Sequence, residues 1–227
     1  MPAAASASAS APAEAPVDCP LCPRLVAYRE EVAAREPDWW NAPVPSFGDP
    51  EARLLVAGLA PGVSGANRTG RPFTGDYAGD LLYATLHAHG FANDRFAARP
   101  DDGLVLSDCL VTNAVRCVPP QNKPTGAEIN ACRPFLAARI AASPNLRMIV
   151  CLGRISHDSV LRALGARLAA HPFAHNARHE IGGLVIRDSY HCSRYNTNTG
   201  RLTPAMFDAV FAAARAELGP APAPAAA

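Results

Sequence analysis

The sequence predicts an α/β fold: a three-layer α/β/α sandwich around a mainly parallel four-stranded sheet. Three observations predict it. Short, wholly apolar runs such as Arg53 to Gly58 and Met148 to Gly153 have the continuous hydrophobicity of strands buried on both faces, not the alternation of a half-exposed sheet. Ala-rich segments with helix start and stop residues fall between these runs, and regular alternation of strand and helix is the pattern of a parallel sheet covered on both sides. The 227 residues, 49% of them hydrophobic and 18% charged, are enough for one sizeable core and too few for several.

Residues 1–16 are almost entirely Ala, Ser and Pro with one Glu. They lack the basic start and Leu-rich centre of a secretory signal, so a disordered tail on a cytoplasmic protein is expected. Residues 219–227 share that composition and are expected to form a second tail, which leaves a single domain at 17–218. Leu25 to Arg35 is rich in Ala and Glu and free of Gly and Pro until Pro37, which predicts a helix just after Cys19-Pro-Leu-Cys-Pro. Arg53 to Gly58 is the first strand, and a Gly-rich loop from Ala60 to Gly75 follows it. The spacing of Leu81, Leu82, Thr85 and Leu86 predicts a helix from Ala78 to His89, closed by Gly90. Cys109 to Ala114 is a second strand, and the pair Thr125 and Glu128 is a capping-box signature ahead of a long helix to Ala142. Met148 to Gly153 is a third strand, Ile155 to Leu164 a helix, Gly183 to Ile186 a fourth strand, and Thr203-Pro204 opens a last helix to Leu218. In such a sheet ligands gather at the carboxyl ends of the strands, where the segments at Gly58, Asn113, Gly153 and Tyr190 end.

Twenty-one Lys and Arg against 20 Asp and Glu give a formal charge of +1, so no global field announces a nucleic acid or a cation, and a charged partner must meet a local patch. Apolar runs such as Met148 to Leu152 fall far short of the ~20 residues of a bilayer span, and no assembly signal is visible. A soluble monomer is expected. Seven cysteines, an odd count in a chain large enough to need no staples, argue against a disulfide framework. Cys109 and Cys151 sit in strand patterns and read as core. The pairs Cys19-x2-Cys22 and Cys117-x14-Cys132 make a four-sulfur set that suits either a [4Fe-4S] cluster or a tetrahedral zinc, and spacing does not choose between them.

Two further segments carry chemistry. Gly58-Leu-Ala-Pro-Gly62 and Asn67-Arg-Thr-Gly-Arg-Pro-Phe-Thr-Gly-Asp76 bring glycines and a carboxylate to the end of the first strand. No Gly-Lys-Ser/Thr follows and Asp76 would repel an anion, which argues against a phosphate cradle; the plainest role of Asp76 is to cap the next helix. The segment His191-Cys-Ser-Arg-Tyr-Asn-Thr-Asn-Thr-Gly-Arg201 is dense in donors directly after a predicted strand, with a cation and a ring suited to phosphate contact or stacking.

Together the Gly58 loop with its Gly70-Arg-Pro-Phe-Thr-Gly-Asp continuation, Thr112-Asn-Ala-Val-Arg-Cys117, and the His191-x-Ser loop running to Thr203 resemble the iron-sulfur branch of the uracil-DNA glycosylase superfamily, closest to its family 5, the type b enzymes. The resemblance spans Cys19 to Thr203 and implies a [4Fe-4S] cluster, rather than zinc, on Cys19, Cys22, Cys117 and Cys132. It implies an enzyme that flips a deaminated base out of double-stranded DNA and hydrolyses the N-glycosidic bond to leave an abasic site. Asp76 matches the acidic residue that serves the sugar cation or its water, His191 the histidine that bonds the base O2 side, and Asn113 the residue that reads the base edge. Phe73 matches the ring that stacks on the base, while Gly58, Leu59, Ala60 and Gly62 would complete the pocket. Ser193, Arg194, Tyr195, Asn196 and Arg201 would meet the DNA.

Two departures mark this chain. Ala60 and Leu59 stand where other branches carry catalytic acids, which leaves Asp76 as the acid and, by the same resemblance, widens the expected range from uracil to hypoxanthine and other deaminated bases. Cys192 stands where many relatives have Pro. The competing readings are a noncatalytic DNA-damage or single-strand binding module on the same fold, and a zinc-stabilised enzyme acting on small nucleotides.

Overall fold

The computed structural model describes residues 12–220. Its seven α-helices and six strands form one sheet covered on both faces. In chain order these are α1 (Pro23–Arg35), β1 (Phe47–Gly48), β2 (Leu54–Gly58), α2 (Ala66–Thr69), α3 (Tyr77–Ala88), β3 (Cys109–Asn113), α4 (Gly126–Ala141), β4 (Met148–Leu152), α5 (Arg154–Ala163), β5 (Arg178–Ile181), β6 (Leu184–Ser189), α6 (Arg194–Asn198) and α7 (Pro204–Leu218). The sheet order is β1-β3-β2-β4-β6-β5.

The expected sheet of four strands is corrected to six. The inner four, β3, β2, β4 and β6, are parallel as predicted, but β1 and β5 add antiparallel edges. Phe47–Gly48 is too short to leave a pattern. Arg178–Ile181 is half exposed and polar, and it is tied to β6 by a two-residue turn at Gly182 and Gly183, both at positive φ as such a hairpin requires.

Side chains of β2 alternate between the two faces. Leu54 and Val56 join α3 and α7 in one core, while Leu55 and Ala57 join α4 and α5 in the other. The cap signals act as read: Thr125 and Glu128 make both bonds of the capping box, Thr203 accepts from Met206 N, and Asp76 caps α3. Residues 1–11 and 221–227 of the expected tails lie outside the described residues. Residues 12–16 depart from a free tail, because Glu14, the one charge there, pairs with the buried Arg116 at 3.2 Å and accepts from Ser46 N at 3.0 Å. No helix among the described residues is long and apolar enough to cross a membrane.

Candidate active site

The carboxyl ends of β2, β3 and β6 and the start of α3 converge on one narrow pocket lined by Ala60, Pro61, Gly62, Phe73, Asp76, Asn113 and His191, among others. Backbone pairing sets its geometry. Asn113 lies opposite Gly58 in the β2–β3 ladder, and pairing runs on past the strands through Ala114 N to Gly58 O and Val115 N to Leu59 O. Gly58 has no substitute here: a Cβ on it would overlap both the Asn113 amide oxygen and the Phe73 ring.

Asp76 is half-buried, with Oδ1 accepting from Gly79 N at 3.3 Å and Oδ2 facing the backbones of Gly62 and Gly65. A Cβ at Gly65 would strike that carboxylate. Burial raises the Asp76 pKa above the ordinary carboxylate value, and the N–H groups at the start of α3 oppose the rise only in part. His191 responds in the other direction: burial lowers its pKa to about 4, so at neutral pH the imidazole is uncharged and holds one N–H to donate. Its ring lies 6.0 Å from that of Phe73 at an interplanar angle of 28°. Asn113 Oδ1 is buried with no hydrogen-bond partner among the described residues, an acceptor waiting for a donor.

Phe73 holds a left-handed backbone, φ 51, which an aromatic residue adopts only when its surroundings enforce it. The enforcing groups were not singled out from the sequence. Arg71, buried, forks onto Asp102 at 2.9 and 2.7 Å and bonds Thr74 Oγ1 at 2.8 Å, while Tyr83 OH donates to Pro72 O at 2.6 Å. Asp102 is thereby held well below the usual carboxylate range. Arg71 lies within the Gly70-Arg-Pro-Phe motif, but Asp102 is 31 residues away and outside any motif, so no local signal marks the pair. Cys192, which had no functional reading, is fully buried, and its thiol donates to Ala78 O at 3.4 Å, tying the His191 segment to α3.

A second unforeseen group lies behind that segment. Asp188 on β6 accepts from His157 Nδ1 at 2.8 Å, and His157 Nε2 faces the His171 carbonyl at 2.9 Å. Burial works against a charge on His157, but the Asp188 carboxylate outweighs it and raises the pKa, as a ring set between two acceptors requires.

The expected DNA-facing residues divide. Ser193 caps α6, a single turn where a loop was expected, and Asn196 Nδ2 donates to His191 O at 2.8 Å, so both hold the segment's shape. Arg194 and Tyr195 point outward, Tyr195 at 73% exposure, with the Arg194 guanidinium 5.2 Å from the Tyr77 ring centre. Arg201 is exposed beside the pocket, 4.7 Å from the Tyr190 ring centre. Leu59, Ser193 and Arg194 continue the pocket into an open groove that also includes Asn122.

Cys19, Cys22, Cys117 and Cys132 line a single apolar cavity together with Leu25, Val115 and Phe135. All four are unpaired, and burial pushes the Cys117 and Cys132 thiols up to about 11 and about 12. The Arg116 N–H donates to Cys132 Sγ at 3.3 Å and Arg29 Nη1 to Cys117 Sγ at 3.1 Å, donors that suit anionic sulfur. Ala60 packs against this cluster and also lines the pocket, so the cysteine site supports the pocket floor.

This fold and site define a class. The sequence pattern of the uracil DNA glycosylase superfamily matches residues 45–215, and the chain belongs to that superfamily. Within it, the chain is 50% identical over 196 residues to a type-5 uracil-DNA glycosylase of Thermus thermophilus, an alignment covering 83% of this chain and 89% of the relative. It is 44% identical over 206 residues to a type-5 uracil-DNA glycosylase of Mycobacterium tuberculosis, covering 87% and 77%. A type-4 uracil-DNA glycosylase of Pyrobaculum aerophilum is more distant, 32% identical over 151 residues, covering 66% and 63%.

Proposed function

We propose that the chain is a monofunctional DNA repair glycosylase that flips uracil, and other deaminated bases such as hypoxanthine, out of double-stranded DNA and hydrolyses the N-glycosidic bond, leaving an abasic site. One observation carries this reading beyond the family: Asp76, His191, Phe73 and the unpartnered Asn113 oxygen meet in one pocket. Deamination turns a ring nitrogen that accepts into an N–H beside a carbonyl. A buried acceptor at Asn113 Oδ1 meets that N–H and leaves the parent base with two acceptors face to face. Phe73 supplies the stacking surface, and the loop Gly58, Leu59, Ala60 and Gly62 closes round the ring. As the bond breaks, the sugar gains positive charge and the base negative charge. Asp76 stabilises the first or orients the water, and neutral His191 donates to the base oxygen on the other side. Arg194, Tyr195 and Arg201 grip the duplex, while Ser193 and Asn196 keep that segment in shape.

We infer a [4Fe-4S] cluster on Cys19, Cys22, Cys117 and Cys132. Hydrolysis moves no electrons, so when bound it would supply a cross-link from the start of α1 to the segment before α4, through Cys117, and to α4 itself, through Cys132.

The test is base release, read by alkaline strand cleavage, from duplexes with a single uracil or hypoxanthine. Asp76→Asn keeps a capping side chain and removes the charge. The native chain releases both bases, and the variant binds equally well but is slower by about 100-fold or more. Equal release by both proteins removes Asp76 from the reaction, and binding with no release by the native chain establishes the noncatalytic damage-binding module instead.

A further inference from the structure

Arg29 lies on the buried face of α1 with Leu25 and Val32, and is only 6% exposed. A cation on an apolar helix face needs a counter-charge. Among the described residues no carboxylate pairs with it. The acids nearby are engaged elsewhere: Glu128 takes both Arg24 bonds at 2.7 Å, and Glu14 pairs with Arg116. The Arg29 guanidinium instead donates through Nη1 to Cys117 Sγ at 3.1 Å and through Nη2 to the Cys19 carbonyl at 3.2 Å. It thus bridges the two cysteine pairs, which lie about a hundred residues apart in the chain.

We propose that Arg29 is the counter-charge of the cysteine-bound centre and a positioning residue for it: it holds Cys117 in its ligating direction and raises the reduction potential of the cluster. The proposal rests on the cluster reading above. Four thiolates give that centre a net negative charge, so the pairing satisfies a buried cation and a buried anion at once. Of the two arginines at the site, Arg116 has a carboxylate of its own and reaches Cys132 only through its backbone, so Arg29 is the one whose charge is free to act. Its removal leaves the anionic centre less compensated. For any one-electron couple, this favours the more oxidised state, which carries less negative charge, and it loosens Cys117 toward attack by a chelator.

The experiment uses the full chain purified without oxygen. Iron and acid-labile sulfide at about four of each per chain in the native protein establish the cluster; zinc or no metal overturns the cluster reading and this proposal with it. With the cluster present, bleaching of its visible absorbance by a chelator and its midpoint potential are measured for the native chain, Arg29→Gln and Arg29→Lys. The Gln variant keeps a donor without charge and is expected to bleach about tenfold faster, with a potential lower by about 59 mV, the equivalent of a tenfold change in a one-electron equilibrium. The Lys variant restores the potential while losing the two-pronged grip, and so bleaches faster than the native chain. Native bleaching and potential in the Gln variant overturn the proposal. If the Gln chain does not fold, the Lys variant decides alone: its potential must match the native value, and a fall there refutes the role of the charge.

Discussion

At Asp76 one carboxylate serves two structural masters. It caps α3, which favours the ionised form, and it faces a pocket whose walls exclude water, which favours the neutral form; burial wins and its pKa is raised. Glycines at 62 and 65 are what let the chain approach so closely, since a side chain at either would press on Oδ2. The neighbouring His191 is pushed down to about 4 by burial alone. In the proposed reaction the two groups reach their working forms from opposite sides: Asp76 acts after losing its proton and His191 without gaining one. As pH falls from neutral, burial makes Asp76 take up its proton above the ordinary carboxylate value, while the lowered pKa of His191 keeps its imidazole neutral until about pH 4. The rate of the chemical step should therefore fall through a single-proton acid limb set by Asp76. Single-turnover base release against pH checks this. In His191→Asn the plateau should drop and the limb stay in place, whereas an acid limb that moves with His191 would assign it to the imidazole.

Among the elements, the segment from Arg71 to Asp76 depends most on distant support. The left-handed Phe73 sits between Arg71, clamped to Asp102, and the first turn of α3, where Gly79 has no room for a Cβ against the Phe73 carbonyl. The Arg71–Asp102 pair is buried, with side chains 6% and 0% exposed. Removing one partner strands the other, at a cost of about 3–5 kcal/mol. Arg71→Met should lower urea stability by about that amount and slow base release, because Phe73 loses its enforced conformation. Asp102 adds a pH signature. Its folded pKa is depressed, so its contribution is complete above the unfolded value of about 3.9 and is lost as pH falls through the folded value. Urea midpoints that do not differ between the native and Met chains would refute the clamp. These supports also explain what was legible. The inner strands and long helices were readable because their signals are local: unbroken apolar runs, the Thr125 box, Thr203-Pro204 and Asp76 as a cap. Edge strand β1 and the Arg71–Asp102 clamp were not, because each is fixed by partners remote in sequence, and the one-turn helix α6 is too short to leave a periodic pattern.

Across the whole molecule, the topology gathers segments from three parts of the chain at the carboxyl end of the sheet, which is why the segments ending at Gly58, Asn113 and Tyr190, the last just before His191, could be placed at a common end from their strand ends. The near-zero net charge was equally legible, and it has a consequence for how the chain holds an anionic polymer. With no global field, attraction must come from arginines around the pocket mouth, where Arg154, Arg194 and Arg201 are exposed. Few phosphates can be neutralised in this way, so binding should weaken with salt only modestly. Each arginine that meets a phosphate contributes a slope of about 0.9 in log affinity against log salt. Tyr195, exposed and uncharged, should act differently: as a ring against the gap left by the flipped base, it contributes about 1–3 kcal/mol with no counterion release. Binding of the Asp76→Asn chain to a uracil-containing duplex across a salt series separates the two effects. Adding Arg201→Ala should reduce the slope by about one unit, and adding Tyr195→Ala should lower affinity at every salt concentration with the slope unchanged. Parallel lines for the arginine variant would show that Arg201 touches no phosphate and is engaged only with the Tyr190 ring beneath it.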